Sequence, residues 1–394
     1  MLSTTSQFEI GAFTRSVWSP EDLPDRRLCD RLLESTTMLV DRRETATAAV
    51  PRRLRRGFQR LYRNPRVDPA ALAAKGTAFA MEVLRGEAVV IVPHDTTAVD
   101  LHGPAAPADA GVRRSSQARG YLVHTALAIH PTTGRLLTWL DSYAWTRPWA
   151  LRHQDHEARR PQDRESVKWR RGIRRVDRAV RGAGLAGRLV HVFDSAGAIH
   201  ENFAFARKHH HPIIARVAED RRIREGGGLL RAHLAAQPAV QTWTTTVRRA
   251  PAKAARVAAR QTAEQHARTE AVAAGERAAA DARAKGLAPT AATKRARQAR
   301  LAVLRRVGDA AEAAVLAAVE AACGAERVAV LEVRHAPATL TPKDGRRPVR
   351  VHAVSFRECD PPPDVEPVAW MLLTTCAVET PRDARQVGCW YRLR

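Results

Sequence analysis

Ala88-Val-Val-Ile-Val92 runs straight into Pro93-His94-Asp95-Thr96-Thr97, and about one hundred residues later Leu189-Val-His-Val-Phe193 runs into Asp194. A continuous apolar run of this length reads as a strand buried on both faces, which parallel neighbours in a covered sheet require. Between the two runs, Tyr121–Ile129 and Leu136–Trp145 alternate like paired strands across the turn signal Pro131-Thr-Thr-Gly134. Residues 163–181 are charged and helical, a helix over about 197–209 follows Asp194, and Ile213-Ile-Ala-Arg-Val217 forms another strand. Three strands, helix, strand, helix, strand is the order of an α/β core with a mixed sheet flanked by helices.

Outward from this core, residues 1–70 read as short helices. Pro20-Glu21-Asp22 starts one, and Leu28, Leu32, Leu33 and Met38 follow at helical spacing. Residues 51–66 then carry seven arginines and no acid, with Leu54, Phe58, Leu61 and Tyr62 as one apolar stripe. Residues 251–322 break the pattern: 29 of these 72 residues are alanine. Gly286, Pro289 and Thr290 divide them into two arms, which predicts a helical hairpin. With 13 basic and 7 acidic residues, that hairpin serves equally as a solvated spacer, an oligomer arm or a DNA-binding element. Strand texture resumes at Val328–Val333, Val349–Phe356 and Trp370–Thr375, and a helix begins near Pro381. The expected division is 1–70 helical, 85–250 core, 251–326 hairpin insertion and 327–394 the remainder of the core.

The 394 residues carry 65 Lys and Arg against 41 Asp and Glu, a net charge of +24. Such a surplus makes a polyanion the expected partner, nucleic acid first, and on charge alone leaves acidic membrane surfaces open. Five cysteines at irregular spacing, none in a C-x-x-C pair, argue against a zinc ribbon or disulfide framework. No basic segment followed by an apolar one opens the sequence, and no apolar run approaches the ~18 residues needed for a membrane span. A reducing cytoplasm, with no membrane partner, is therefore expected. No G-x-x-x-x-G-K-[ST] loop is present, and Gly226-Gly-Gly228 reads as a flexible turn rather than a phosphate loop.

Two aspartates at strand ends are where open α/β sheets place their sites. Asp95 and Asp194 could together hold Mg²⁺, a hard cation that takes carboxylate oxygens and keeps several waters. Equally, each could do no more than cap the turn that follows it. Arg52, Arg53, Arg55, Arg56, Arg60 and Arg63 repel one another unless phosphates lie between them, which favours contact with DNA. His94 beside Asp95 could ligand a metal. The run His209-His-His211 reads as a solvated cluster at a helix-to-strand turn.

The order Asp95-Thr-Thr, Arg119-Gly-Tyr-Leu-Val-His-Thr125, Glu165-Ser-Val-Lys-Trp169 and Phe193-Asp194 resembles the DDE transposases of the insertion-sequence-four group, cut-and-paste enzymes. Leu23-Pro-Asp-Arg-Arg-Leu28 and Tyr62-Arg-Asn-Pro65 resemble the group's N-terminal DNA-binding region, and Trp145-Thr-Arg-Pro148 the end of its early strand block. Val368-Ala-Trp-Met-Leu-Leu-Thr-Thr375 with Tyr391-Arg-Leu-Arg394 resembles its C-terminal signature, Y-x₂-R-x₃-E-x₆-K.

The resemblance implies an RNase H-like core with Asp95 on the first strand and Asp194 just after the fourth. It implies Mg²⁺, with Mn²⁺ as a substitute, at these two aspartates, and transposon-end and target DNA as partners. By the same carry-over Arg216 contacts end DNA, Trp370 stacks on a displaced base, and Tyr391 and Arg394 hold phosphates. Trp370 could instead be core, and Tyr391 could simply pack its helix. Ser195-Ala-Gly-Ala198 departs from the Arg-Glu-Ala-Asp usual in the group. The signature's Glu would fall four residues past Arg394, so the expectation is a chain without the third carboxylate or the dimerising C-terminal helices. It would then either fail to cleave, or act as a DNA-binding product that occupies transposon ends or associates with an intact transposase.

Overall fold

Strands here begin and end where backbone pairing, rather than apolarity alone, dictates. The computed structural model describes residues 17–18, 23, 25–41, 52–101, 107, 109–112, 119–146, 166–181, 184–185, 187–248, 253–304, 326–342, 345–362 and 365–394. They form two units, one ending at Ala215 and rejoined by Trp390–Arg394, the other comprising Arg216–Cys389.

The first unit opens with helices α1 (Arg26–Asp41), α2 (Arg52–Tyr62) and α3 (Pro69–Leu84). Leu23, Cys29, Leu32, Leu61 and Val67 make a small core, with Trp18, Leu28 and Leu72 packed against it. The stripe expected on α2 is only partly realised: Leu61 is buried but Tyr62 is 65% exposed. The side chains of Leu54 and Phe58 lie outside the described residues. Helix α3 was not expected. Its start is set by Asp68, whose carboxylate accepts from the Ala70 N–H at 2.8 Å, and by Pro69 at the first helical position.

The sheet of this unit contains β1 (Val90–Leu101), β2 (Gly111–Val112), β3 (Arg119–Ile129), β4 (Leu136–Trp145), β5 (Leu189–Phe193) and β6 (Ile213–Arg216). Strand β1 is central. It pairs antiparallel with β3 and parallel with β5, β5 pairs parallel with β6, and β3 carries β4 and the short β2 antiparallel. The sheet is therefore mixed, as expected. Helices α4 (Val167–Arg181) and α5 (His200–His209) are the flanking elements after β4 and β5. Leu84 of α3 and Val176 and Val180 of α4 join Val90, Val92, Ala126, Ala128 and Leu189 in the core.

One expectation needs correction. Asp95 does not end its strand: β1 continues to Leu101, because β3 supplies partners from Ile91↔Ile129 through Leu101↔Arg119. What ends near Pro93 is the parallel ladder with β5, and with it burial on both faces. The apolar run marked the doubly covered part of the strand, not the whole strand.

In the second unit β7 (Gln241–Arg248), β8 (Glu326–Leu340), β9 (Val349–Glu358) and β10 (Ala369–Thr374) pair antiparallel in sequence order. Strand β7 was not expected, although Thr242-Trp-Thr-Thr-Thr-Val247 is rich in strand formers. Arg327 of β8 and the buried Glu358 of β9 form a two-pronged ion pair, and Glu358 also accepts from Val368 N–H at 2.8 Å. Helix α6 (Leu230–Ala235) packs on β8 and β9. Between β7 and β8 lies helix α7 (Lys253–Ala284), about 48 Å long at 1.5 Å per residue. A turn with Gly286 at φ 68° leads to a second helical stretch over 289–304, the described part of the expected hairpin. Helix α8 (Pro381–Arg392) closes the chain. Among the described residues no helix is long and apolar enough to cross a membrane.

Candidate functional site

Strands β1 and β5 are in parallel register Val90↔Leu189, Ile91↔Val190, Val92↔His191 and Pro93↔Val192. Continued two residues past the last paired positions, the same register points Asp95 of β1 towards Asp194, which directly follows β5. The sequence distance of about one hundred residues thus vanishes at one end of a two-strand ladder. Burial gives way at the same point, and the Asp95 and Asp194 side chains are 63% and 35% exposed. Both face Arg394: its Nη2 lies 3.4 Å from Asp95 Oδ1 and 3.8 Å from Asp194 Oδ2. A single guanidinium nitrogen therefore already serves both carboxylates.

Asp194 does cap the turn that follows it. Its Oδ1 accepts from the N–H groups of Ala196 and Gly197 at 2.9 and 3.3 Å, fixing the short 3₁₀ turn Ser195–Gly197. Capping uses one oxygen and leaves Oδ2 on the Arg394 side, so the structural and the functional readings of this residue hold together. Gly197 is where the backbone packs onto β5: a Cβ there would stand 2.4 Å from Phe193 Cβ. Buried Asn202 braces the turn by donating from Nδ2 to the Gly197 carbonyl at 2.8 Å. Within this turn Gly197 and Ala198 are buried, and Ser195 and Ala196 are exposed.

One residue back along each strand, His94 and Phe193 face the opposite side, as the two-residue strand period requires, with ring centroids 5.1 Å apart. Here the sequence reading missed a feature. His94, His124 and His191 are all buried and hydrogen-bonded in a row. Thr96 Oγ1 and His124 Nδ1 are 2.9 Å apart, His124 Nε2 and His94 Nδ1 3.1 Å, and His94 Nε2 and His191 Nδ1 2.8 Å. Burial, with His191 and His124 as neighbours, holds His94 well below its usual pKa. Burial and the Lys168 ammonium bring His124 to about 4, with Asp95 opposing. Burial and His211 bring His191 to about 3. Neutral imidazoles suit the row, since each gives one N–H and accepts at its other nitrogen. Helix α4 covers the row with the buried Trp169 and with Gly172, where a Cβ would lie 2.7 Å from His124 Nε2. His94 is therefore a core residue in this arrangement, with both ring nitrogens taken by other histidines. Part of the signal was present: His124 falls on the buried alternation of β3, and His191 and His94 fall within or just after continuous apolar runs.

Among the described residues no group of three or more His, Cys, Asp or Glu is gathered as for a metal. Two adjacent carboxylates with exposed oxygens nevertheless fit Mg²⁺ or Mn²⁺, because Mg²⁺ binds through one or two carboxylates and completes its shell with water and substrate phosphate.

Of the expected DNA contacts, Arg56, Arg60 and Arg63 are exposed on and just after α2. With Gln59 and Asn64 they line one open concavity of about 420 Å³. Arg52, Arg53 and Arg55 are on the same helix, with side chains outside the described residues. Glu165 and Pro148 also lie outside them. Tyr391 is buried at 9% exposure in the last turn of α8. Arg216 is exposed at the end of β6, and Trp370 on β10 is half-exposed with its ring edge-on to Phe356. Both belong to the second unit, so among the expected residues it is Asp95, Asp194 and Arg394 that the structure brings together. The glycine run falls on a 3₁₀ turn, Glu225–Gly227, capped by the extended Gly228 and tied to β8, where Glu225 accepts from Thr339 N–H and Oγ1 at 2.8 and 2.7 Å. His209 and His210 are exposed, whereas His211 is half-buried against Phe205 and His191. Compared with models of known protein families, the chain matches none.

Proposed function

We propose that this chain is a DNA-processing protein of the DDE transposase kind, with an RNase H-like core. It binds double-stranded DNA, at transposon ends and target, through the arginines of α2, and presents Asp95 and Asp194 as a joint site for Mg²⁺ or Mn²⁺. The observation that carries this reading is the register that points Asp95 towards Asp194 at the end of the parallel ladder, both turned to one cation. Strand order adds support: β1 is antiparallel to β3 and parallel to β5, with one aspartate on the first strand and the other just past the fifth.

In this reading Asp194 is oriented by its own cap, so its free oxygen needs no reorganisation when a cation arrives. The neutral histidine row keeps β1, β3 and β5 locked below the carboxylates without adding positive charge beside them. Arg394 holds the carboxylates in the free protein and is placed to move onto a phosphate when DNA and cation enter. A divalent cation bound there supplies Lewis acidity to the phosphodiester and lowers the pKa of its attacking water or hydroxyl. A bacterial cytoplasmic setting goes with this activity.

A second reading, DNA binding without cleavage, is favoured by the same Arg394 contact, which neutralises both carboxylates. One experiment separates the two: incubate the protein with a plasmid carrying its gene and flanking DNA, with Mg²⁺ or Mn²⁺. The proposal expects breaks at defined ends that disappear in Asp95→Asn. Binding with no breaks supports the second reading, and no binding overturns both.

A further inference from the structure

We infer that α4 presents a second DNA-binding surface, on the helix that covers the histidine row, and that it grips the phosphate backbone of a duplex irrespective of sequence. This rests on the DNA-processing reading above and extends it to a surface that the arginines of α2 do not supply.

Arg171, Arg174, Arg178 and Arg181 are all exposed on α4. Their spacing of three, four and three residues gathers them on one side of the helix, opposite the buried Trp169, Ile173, Val176 and Val180. The stripe is about 15 Å long, which spans roughly four base pairs of phosphates along one strand.

Two of the guanidinium groups are already oriented. Arg171 lies over the Tyr143 ring at 4.7 Å and Arg174 over the Phe205 ring at 4.8 Å. Stacking holds the plane of the group while its N–H edge stays available, which is the geometry that bidentate phosphate contact needs. Through Phe205 the stripe adjoins the end of α5, where Arg207 and Lys208 are exposed. Asp177 is the acid on this side, and it is paired with Arg181 at 3.0 Å. A merely solvated helix face would intersperse acids with bases. This one accumulates like charge, whose repulsion is relieved when phosphates lie between the side chains.

The test is fluorescence anisotropy of the full chain with a random-sequence 20-base-pair duplex, without divalent cation, from 50 to 300 mM salt. Changing Arg171, Arg174, Arg178 and Arg181 together to Ala should weaken binding at least tenfold at 100 mM. It should also make the slope of log affinity against log salt shallower by about 3.6, or 0.9 for each lost phosphate contact. The Arg178→Glu variant, which leaves both stacked arginines in place, guards against misfolding and should still weaken binding measurably. Arg56, Arg60 and Arg63 changed to Ala form a separate arm. If the α4 variants bind with unchanged affinity and slope while the α2 variant loses affinity, this inference fails and the proposed function stands. If the unaltered chain binds no duplex, the proposed function fails as well. Preference of the stripe for anionic vesicles over duplex would also overturn the inference.

Discussion

Lowering the pH from 7.5 to 5.5 should remove roughly a few kcal/mol from the stability of the sheet that carries Asp95. In the unfolded chain His94, His124 and His191 titrate near 6.5. In the fold His124 titrates at about 4, His191 at about 3, and His94 well below its usual value. Their folded pKa values are depressed, so between pH 6.5 and about 4 the unfolded chain takes up protons that the folded chain refuses. Stability is complete above 6.5 and is lost as pH falls through this window. At pH 5.5 each ring kept neutral in the fold costs on the order of 1 kcal/mol, so the row costs a few kcal/mol together. Burial is the main cause, and at His94 geometry adds to it: both ring nitrogens face other histidines, at 3.1 and 2.8 Å, so a second proton there would set donor against donor. Urea unfolding at a series of pH values measures the slope. Changing His191→Gln should lower proton uptake by one, which separates the row from every other titrating group. A stability change below about 1 kcal/mol between pH 7.5 and 5.5, or an unchanged slope in the variant, would refute the argument.

Other outcomes follow from single contacts. Gly172→Ala should cost about 1–3 kcal/mol, because its methyl would enter the space of His124 and His94; a thermal melt with no shift would contradict that packing. Arg327→Ala should cost about 3–5 kcal/mol by leaving the buried Glu358 carboxylate unpaired, and adding Glu358→Gln should recover part of it in urea unfolding. Arg394→Ala should tighten Mn²⁺ binding by at most about fivefold, since a partly exposed ion pair is worth ~1 kcal/mol or less. Weaker binding in that variant would mean that Arg394 organises the carboxylates rather than competing for them.

The α/β architecture was legible because Val89–Val92 and Leu189–Phe193 are apolar without alternation, a pattern that doubly covered strands require. Strand β1 past Pro93 was not legible, since Thr96, Thr97 and Val99 are held by pairing with β3 rather than by burial on both faces. Strand β7 was missed for a similar reason, its Thr-rich sequence being half solvent-facing. The aspartates were legible as the ends of apolar runs, a true strand end for Asp194 and not for Asp95, and their mutual position depended on the β1/β5 register, a long-range property that local patterns do not carry. The histidine row was hidden because its three members come from three strands, and only pairing aligns them.

The joint carboxylate site is tested most directly by isothermal titration of Mn²⁺ into the full chain, with Asp95→Asn and Asp194→Asn in parallel. Binding in the unaltered chain that falls at least tenfold in each variant is the expected result, because either aspartate alone offers half of the site. Equal Mn²⁺ binding by all three proteins would contradict it.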